Sequence, residues 1–298
     1  MFGVFHRRIF VILAIMLLLI TAMSGVFLSQ SKAGTSSESA APDVVMEWNM
    51  AMLDMIKAKN ISNHFGNRAM AMVHVAMFDA INGIQPKYTQ FAVSETQTKL
   101  ISPQVAAATA AYTILTALYP AEQPTFETLY QEQLSRLSDN PGLRRLAVQY
   151  GEQIAKAVLE LRQNDGSAQA ASVPYPDGTK IGEWRRTAPG MMPMLPGWGQ
   201  VTPFAMTSVD QFRLIGNPAM DSYEYARDYN EVKIMGAKNS TVRTSEQTII
   251  SRFWISGIPR MWNLVAREVV QQNQYDLIES ARLFALLNVT LADANVMA

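Results

Sequence analysis

The chain contains no cysteine. That absence excludes a disulfide framework, cysteine-ligated zinc or iron–sulfur sites, and a thiol nucleophile. Three histidines in 298 residues are too few for a histidine-rich metal centre. Charge is scarce as well: 17% of residues are charged, and 25 basic side chains balance 25 acidic ones. A formal net charge of zero leaves no electrostatic footprint for nucleic acid, so no nucleic-acid partner is expected. There is no sustained strand alternation, glycine-rich phosphate loop, Gly-x-Ser-x-Gly elbow or Ser/His/Asp set. The paired-histidine and Glu-x-x-His spacings of helical metal sites are also missing. Apolar residues, by contrast, make up 49%, too many for an intrinsically disordered chain.

A low-polarity run from Ile9 to Leu28 follows Arg7 and Arg8, and Ser31-Lys32-Ala33 places small residues at −3 and −1 of a cleavage site before Gly34. Residues 1–33 therefore read as a signal peptide. The run is also about long enough to span a bilayer, which takes roughly 20 residues, so an uncleaved anchor is the open alternative. In either case the basic pair stays cytoplasmic and the rest is expected in the periplasm or outside the cell. Membrane contact is expected only through residues 9–28, if they are uncleaved. Residues 34–41 are small and polar and read as a linker.

From there the pattern is helical. Asp43 to Ala58 carries Val45, Trp48, Met52 and Met55 on one stripe. Arg68 to Asn82 is apolar on most sides, as a central buried helix is, with Gly83 as its stop. Ser102-Pro103 opens a third helix and Pro120 ends it. A fourth is expected from Pro124 to about Leu137. A fifth runs from Pro141 to about Asn164, with Leu143, Leu146, Tyr150, Ile154, Val158 and Leu161 in register. Residues 166–212 are rich in proline and glycine and hold no period. Their Trp184 and Trp198 point to packing on the surface rather than disorder. Helices resume at Asp221, where Asp221 and Glu224 have capping-box spacing. Others are expected over Thr244–Ile255, Pro259–Gln272 and from Asp276 onward. The fold class is all-α. In the last helix Leu283, Leu286, Leu287, Thr290, Leu291 and Ala294 make an apolar stripe, and no stop signal precedes Ala298. The stripe is expected to lie exposed and to seek a partner.

Few residues offer chemistry. His74 shares a face with Met70, Met77, Phe78 and Ile81, which suits a hydrogen-bonded core histidine better than a base or ligand. His64 has no ligand spacing to it. Glu224, Asp228 and Glu231 share a face that a divalent cation would accept. Arg227 and Lys233 interleave with them, so a solvated face with intrahelical ion pairs is the reading preferred. Tyr225, Tyr229 and Val232 beside it have core spacing. Met46, Met50, Met52, Met55, Met70, Met72 and Met77 raise Cu(I), but thioethers at helical spacing are expected as core filler.

Five segments together resemble one family. Arg68–Asn82 (RAMAMVHVAMFDAIN) is similar to the early buried helix of bacterial vanadium-dependent haloperoxidase-like proteins, in the type 2 phosphatidic acid phosphatase superfamily. Gly182–Gly190 and Leu195–Met206 resemble the irregular tryptophan-containing stretch that follows. Tyr229–Gln247 with Arg252-Phe253-Trp254, and then Ala281–Ala294, continue in the family's order. The resemblance covers residues 42–298. It implies a helical-bundle fold and a vanadate or phosphate site serving peroxide-dependent halide oxidation or phosphate-ester hydrolysis. In the family a histidine and basic residues hold the oxyanion. Those family segments are lysine…arginine-proline, serine-glycine-histidine and arginine…histidine. This chain has no Ser-Gly-His and no histidine after His74. No residue is therefore carried over as catalytic, cofactor-binding or metal-binding. Arg185-Arg186-Thr187 and Arg252-Phe253-Trp254 are not promoted to anion ligands. The expectation is an N-terminal half without its catalytic half. Such a half would hold no cofactor of its own and be inactive alone. Its possible partners are a missing or separately encoded C-terminal half or a second copy. The alternative is an exported helical binding or interaction module with no catalysis, using Gly166–Phe212 as its contact surface.

Overall fold

The structure, a computed structural model, describes residues 43–137, 140–188, 190–213, 216–255 and 257–297. The expected signal segment or anchor (1–33) and linker (34–41) lie outside the described residues. Among the described residues ten α-helices run in order: α1 (Val44–Ala58), α2 (Asn63–Ile84), α3 (Pro103–Leu118), α4 (Gln123–Arg136), α5 (Pro141–Arg162), the single turn α6 (Ser167–Ala170), α7 (Tyr223–Gly236), α8 (Ser245–Ile255), α9 (Ile258–Asn273) and α10 (Leu277–Met297). Among the described residues there is no β-strand, so the fold is all-α. No described helix is long and apolar enough to cross a membrane.

The ends follow local chemistry. Asp43 caps α1 by accepting from the Met46 N–H at 2.8 Å. Ser102 caps α3 ahead of Pro103, and Asn140 caps α5 ahead of Pro141. Each cap satisfies a backbone donor that the first helical turn leaves orphaned. Asp276 and Glu279 exchange side-chain-to-backbone bonds at the start of α10, a reciprocal capping box.

α2 is the axis of the bundle, with α10, α3, α5 and α1 packed around it. Every residue from Ala69 to Ile84 is buried, as a helix apolar on all sides requires. It begins at Asn63, before the Arg68 expected from its apolar run, and it continues through Gly83. Gly83 is not a stop. A β-carbon there would collide with the Tyr150 hydroxyl and come within 2.6 Å of the Glu95 carbonyl, so the glycine allows a close crossing.

The stripe on α5 is corrected in the same way. Tyr150, Ile154 and Val158 are buried, but Leu146 and Leu161 are 47% and 62% exposed. α5 presses on α3 through Ala147, Gly151 and Ala155, and Gly151 passes directly over the Ala106 carbonyl. Small residues set that contact and rotate the face away from the leucines.

Three further expectations are corrected. The α7 cap is Ser222, which accepts from the Tyr225 N–H, and not Asp221. α7 has no buried residue, and Tyr229 and Val232 stand 58% and 72% exposed instead of in the core. In α10 the buried face is Ile278, Ala281, Phe284, Ala285, Asn288, Val289, Ala292 and Val296. Leu283 and Leu287 pack at the margin of the core, and of the leucine stripe only Leu286 is largely exposed. α10 lies against α2 along this face, with Phe284 stacked on His74, so the leucine stripe falls to the side.

Candidate functional site

Two clusters of buried polar side chains stand out in this bundle. The first is a chain of four side chains, one from each of four helices. Asn49 of α1 places its amide nitrogen 3.0 Å from His74 Nε2 on α2 and donates to Asn263 Oδ1 on α9 at 2.7 Å. Asn263 and Asn288 of α10 exchange amide bonds at 3.0 Å in both directions. All four are fully buried. The His74 ring stacks on Phe284 at 5.2 Å and 18°. His74 Nδ1 and Asn49 Oδ1 have no hydrogen-bond partner among the described residues. Burial lowers the imidazole from 6.5 to about 3. A ring neutral at any ordinary pH is a poor general acid, and this one has no route to solvent.

The second place anchors the irregular segment. Arg68 of α2 and Arg162 of α5 both hold Asp165 Oδ2, through Arg68 Nε at 2.7 Å and Arg162 Nη2 at 2.9 Å. Arg162 also donates to the Thr202 and Pro203 carbonyls at 2.6 and 3.0 Å and covers the Phe204 ring at 3.9 Å. Burial pushes the Asp165 carboxyl up, but hydrogen bonds from Arg68 and Ser167 outweigh it, so its pKa lies below the usual carboxylate value. Asp293 of α10 completes the anchor. Its Oδ1 accepts from the Phe204 N–H at 2.6 Å, and its Oδ2 from the N–H groups of Ala205 and Met206 at 2.8 and 3.0 Å.

The same clamp occurs a second time. Asp79 of α2 accepts through Oδ1 from the Phe91 N–H at 2.6 Å, and through Oδ2 from those of Ala92 and Val93 at 2.7 and 2.9 Å. Asp79 lies five residues after His74, as Asp293 lies five after Asn288. The two clamped loops, Thr89-Gln90-Phe91-Ala92-Val93 and Thr202-Pro203-Phe204-Ala205-Met206, share a Thr-x-Phe-Ala pattern. Sequence reasoning missed both carboxylates, and that repeated pattern was the available signal.

The remaining candidates stay apart. Glu224 and Glu231 are exposed on α7, and Asp228 pairs with Arg227 at 2.7 Å. Among the described residues no three His, Asp or Glu side chains converge as a metal site would need. Met46, Met52, Met55, Met70, Met72 and Met77 are buried in the core, with Met50 at its margin. Arg186 pairs with Asp177 at 2.7 Å. His64 lines a surface cleft with Arg213, but Arg213 holds Asp210 at 2.9 Å.

Vanadate or phosphate needs several uncommitted cationic or N–H donors beside a histidine. His74 is walled in by amides and apolar groups. Arg68 and Arg162 are spent on Asp165 and on carbonyls. The described residues do not fit that group, and no catalytic step is derived through it.

No family model matches the chain, and no curated protein matches it. Among solved structures, the chain is similar to the first bacterial vanadium-dependent iodoperoxidase. The match has a TM-score of 0.72 and 20% identity, and covers 85% of this chain and 67% of that one. The chain thus has the vanadium haloperoxidase-like helical fold that its five segments resemble.

Proposed function

We propose that residues 43–297 are the helical scaffold of a vanadium haloperoxidase-type protein, and that these residues alone neither oxidise halide nor hydrolyse phosphate esters. One observation carries this reading. Of the two histidines in the described residues, His74 is sealed in the core, and His64 lines a cleft whose arginine, Arg213, is already paired with Asp210. In this reading the oxyanion-binding residues come from a further segment, in the same chain or encoded separately. Export rests on Arg7, Arg8 and the apolar run 9–28 of the sequence. The test is peroxide-dependent oxidation of iodide and bromide by the purified protein with orthovanadate, alongside a phosphate-ester assay. The expected rate equals the protein-free blank. Turnover that scales with protein and vanadate would overturn the reading.

A second reading is favoured by a specific surface. On α8 and α9, Ile249, Phe253, Trp254, Ile255, Trp262 and Val265 are all exposed, Ile255 at 79%. Contiguous exposed apolar groups mark interaction sites. As an interaction module, the chain would use this face to hold its complementary half or a second copy. Light scattering across a concentration series tests this. Self-association that Phe253→Ser/Trp254→Ser abolishes supports the second copy, and a strictly monomeric sample excludes it.

A further inference from the structure

The irregular segment builds a chemical environment unlike the core. Met191, Met192 and Met194 fall within four residues and are 56%, 70% and 70% exposed. They line a surface cleft of about 660 Å³ with His64 of α2 and Met297 of α10. Thioethers normally partition inward, as the buried methionines of α1 and α2 do. Here they are held outward at one place. Thr187 and Arg186 direct hydrogen bonds to the sulfurs of Met191 and Met192. Trp198 meets the His64 ring edge-on at 5.2 Å and 70°, and Trp184 walls the same cleft. His64 Nδ1 is buried without a hydrogen-bond partner.

The donor set selects the metal. The lining has no carboxylate, so it does not suit magnesium or calcium, which take oxygen ligands. It has no thiolate and a single imidazole, too little for zinc. Neutral thioethers with an imidazole suit a soft monovalent ion, and that ion is Cu(I). A monovalent charge asks little compensation of a site whose lining cation, Arg213, is already paired with Asp210. Unbranched methionine side chains adapt readily to a shared ion.

We propose that this cleft is a Cu(I) site whose ligands are the thioethers of Met191, Met192 and Met194 and the imidazole of His64. The site is independent of the haloperoxidase reading and uses none of its chemistry. It also places the thioether chemistry raised by the sequence away from the core cluster, whose methionines are packed among apolar side chains.

The test is an anaerobic titration of the full chain with Cu(I) alone, in competition with a chromogenic Cu(I) chelator. One Cu(I) per chain is expected to be withdrawn from the chelator, with quenching of tryptophan fluorescence. The exposed-site variant Met191→Leu/Met192→Leu/Met194→Leu is expected to weaken binding at least about tenfold, and His64→Gln likewise. The core variant Met46→Leu/Met72→Leu is expected to bind as the parent does. Zn(II) in the same assay is expected not to be retained. The proposal is overturned if the chelator keeps all the copper, if the triple leucine variant binds unchanged, or if Zn(II) binds as tightly as Cu(I). Circular dichroism of each variant confirms folding. The substituted methionines are exposed, so loss of copper with an unchanged melt is a loss of ligands.

Discussion

Acid should weaken this fold chiefly through one fully buried side chain, His74. In the folded protein burial holds its imidazole near 3, while the unfolded chain returns it to about 6.5. The folded pKa is therefore the lower one, and between the two values the unfolded state binds the extra proton. Stability from this group is fully present above about pH 6.5 and is lost progressively as pH falls toward about 3. Each pH unit in that window costs about 1.4 kcal/mol, so moving from pH 7.5 to pH 5 costs about 2 kcal/mol. The mechanism is local. Protonation would place an unpaired charge among Asn49, Asn263, Asn288 and the Phe284 ring, with no carboxylate among these neighbours to balance it. Urea unfolding at both pH values, for the parent chain and for His74→Gln, isolates the effect. The glutamine does not titrate, so its stability change between the two pH values should be smaller by about 2 kcal/mol. General destabilisation by the substitution cancels in that difference. Identical pH dependence in the two proteins would refute the argument, because it would mean that His74 charges freely in the folded state.

Other consequences follow from the packing and the clamps. Gly83→Ala should lower stability by about 1–3 kcal/mol, because the new methyl meets the Tyr150 hydroxyl and the Glu95 carbonyl; a thermal melt unchanged from the parent would contradict this. Asp293→Asn should release Phe204, Ala205 and Met206 to rapid amide exchange while leaving Phe91–Val93 protected, and Asp79→Asn should do the reverse. Trp48, fully buried and 6.2 Å from the Phe126 ring, should cost about 3–5 kcal/mol when replaced by alanine, read from denaturant midpoints at constant slope. Amides of α7 and α8, which bury nothing, should exchange far faster than those of α2 and α10.

Some helix ends were legible because the signals that set them are local. Ser102-Pro103 acts on the turn beside it, and the structure places Ser102 at the α3 cap; Asp221 and Gly83 carry similar signals, yet Ser222 caps α7 and α2 runs past Gly83. The apolar run of α2 announced a central helix for the same reason. Faces were harder to read. Leu146 and Leu161 lie on the expected stripe of α5, yet its close approach to α3 at Gly151 leaves them outside, while Leu283 and Leu287 of α10, expected to be exposed along with Leu286, pack against the core. Periodicity records hydrophobicity and is blind to which side a small residue lets a neighbour approach. The polar network was out of reach altogether. Asn49 meets Asn263 across 214 positions, and Asp293 holds a loop 87 to 89 residues before it. Pairings over such distances are decided by the tertiary fold. The Thr-x-Phe-Ala pattern shared by the clamped loops hinted at a repeated device, but only the geometry shows the carboxylate that each loop serves.

As proposed above, these residues form a scaffold without an oxyanion site of their own. Vanadium NMR of orthovanadate titrated with the purified chain, with phosphate as competitor, tests it most directly. The expected result is a free-vanadate signal that keeps its width and position at equimolar protein. A saturable bound signal that phosphate displaces would contradict the account and show that arginines assigned here to Asp165, Asp177 and Asp210 are free to hold an oxyanion.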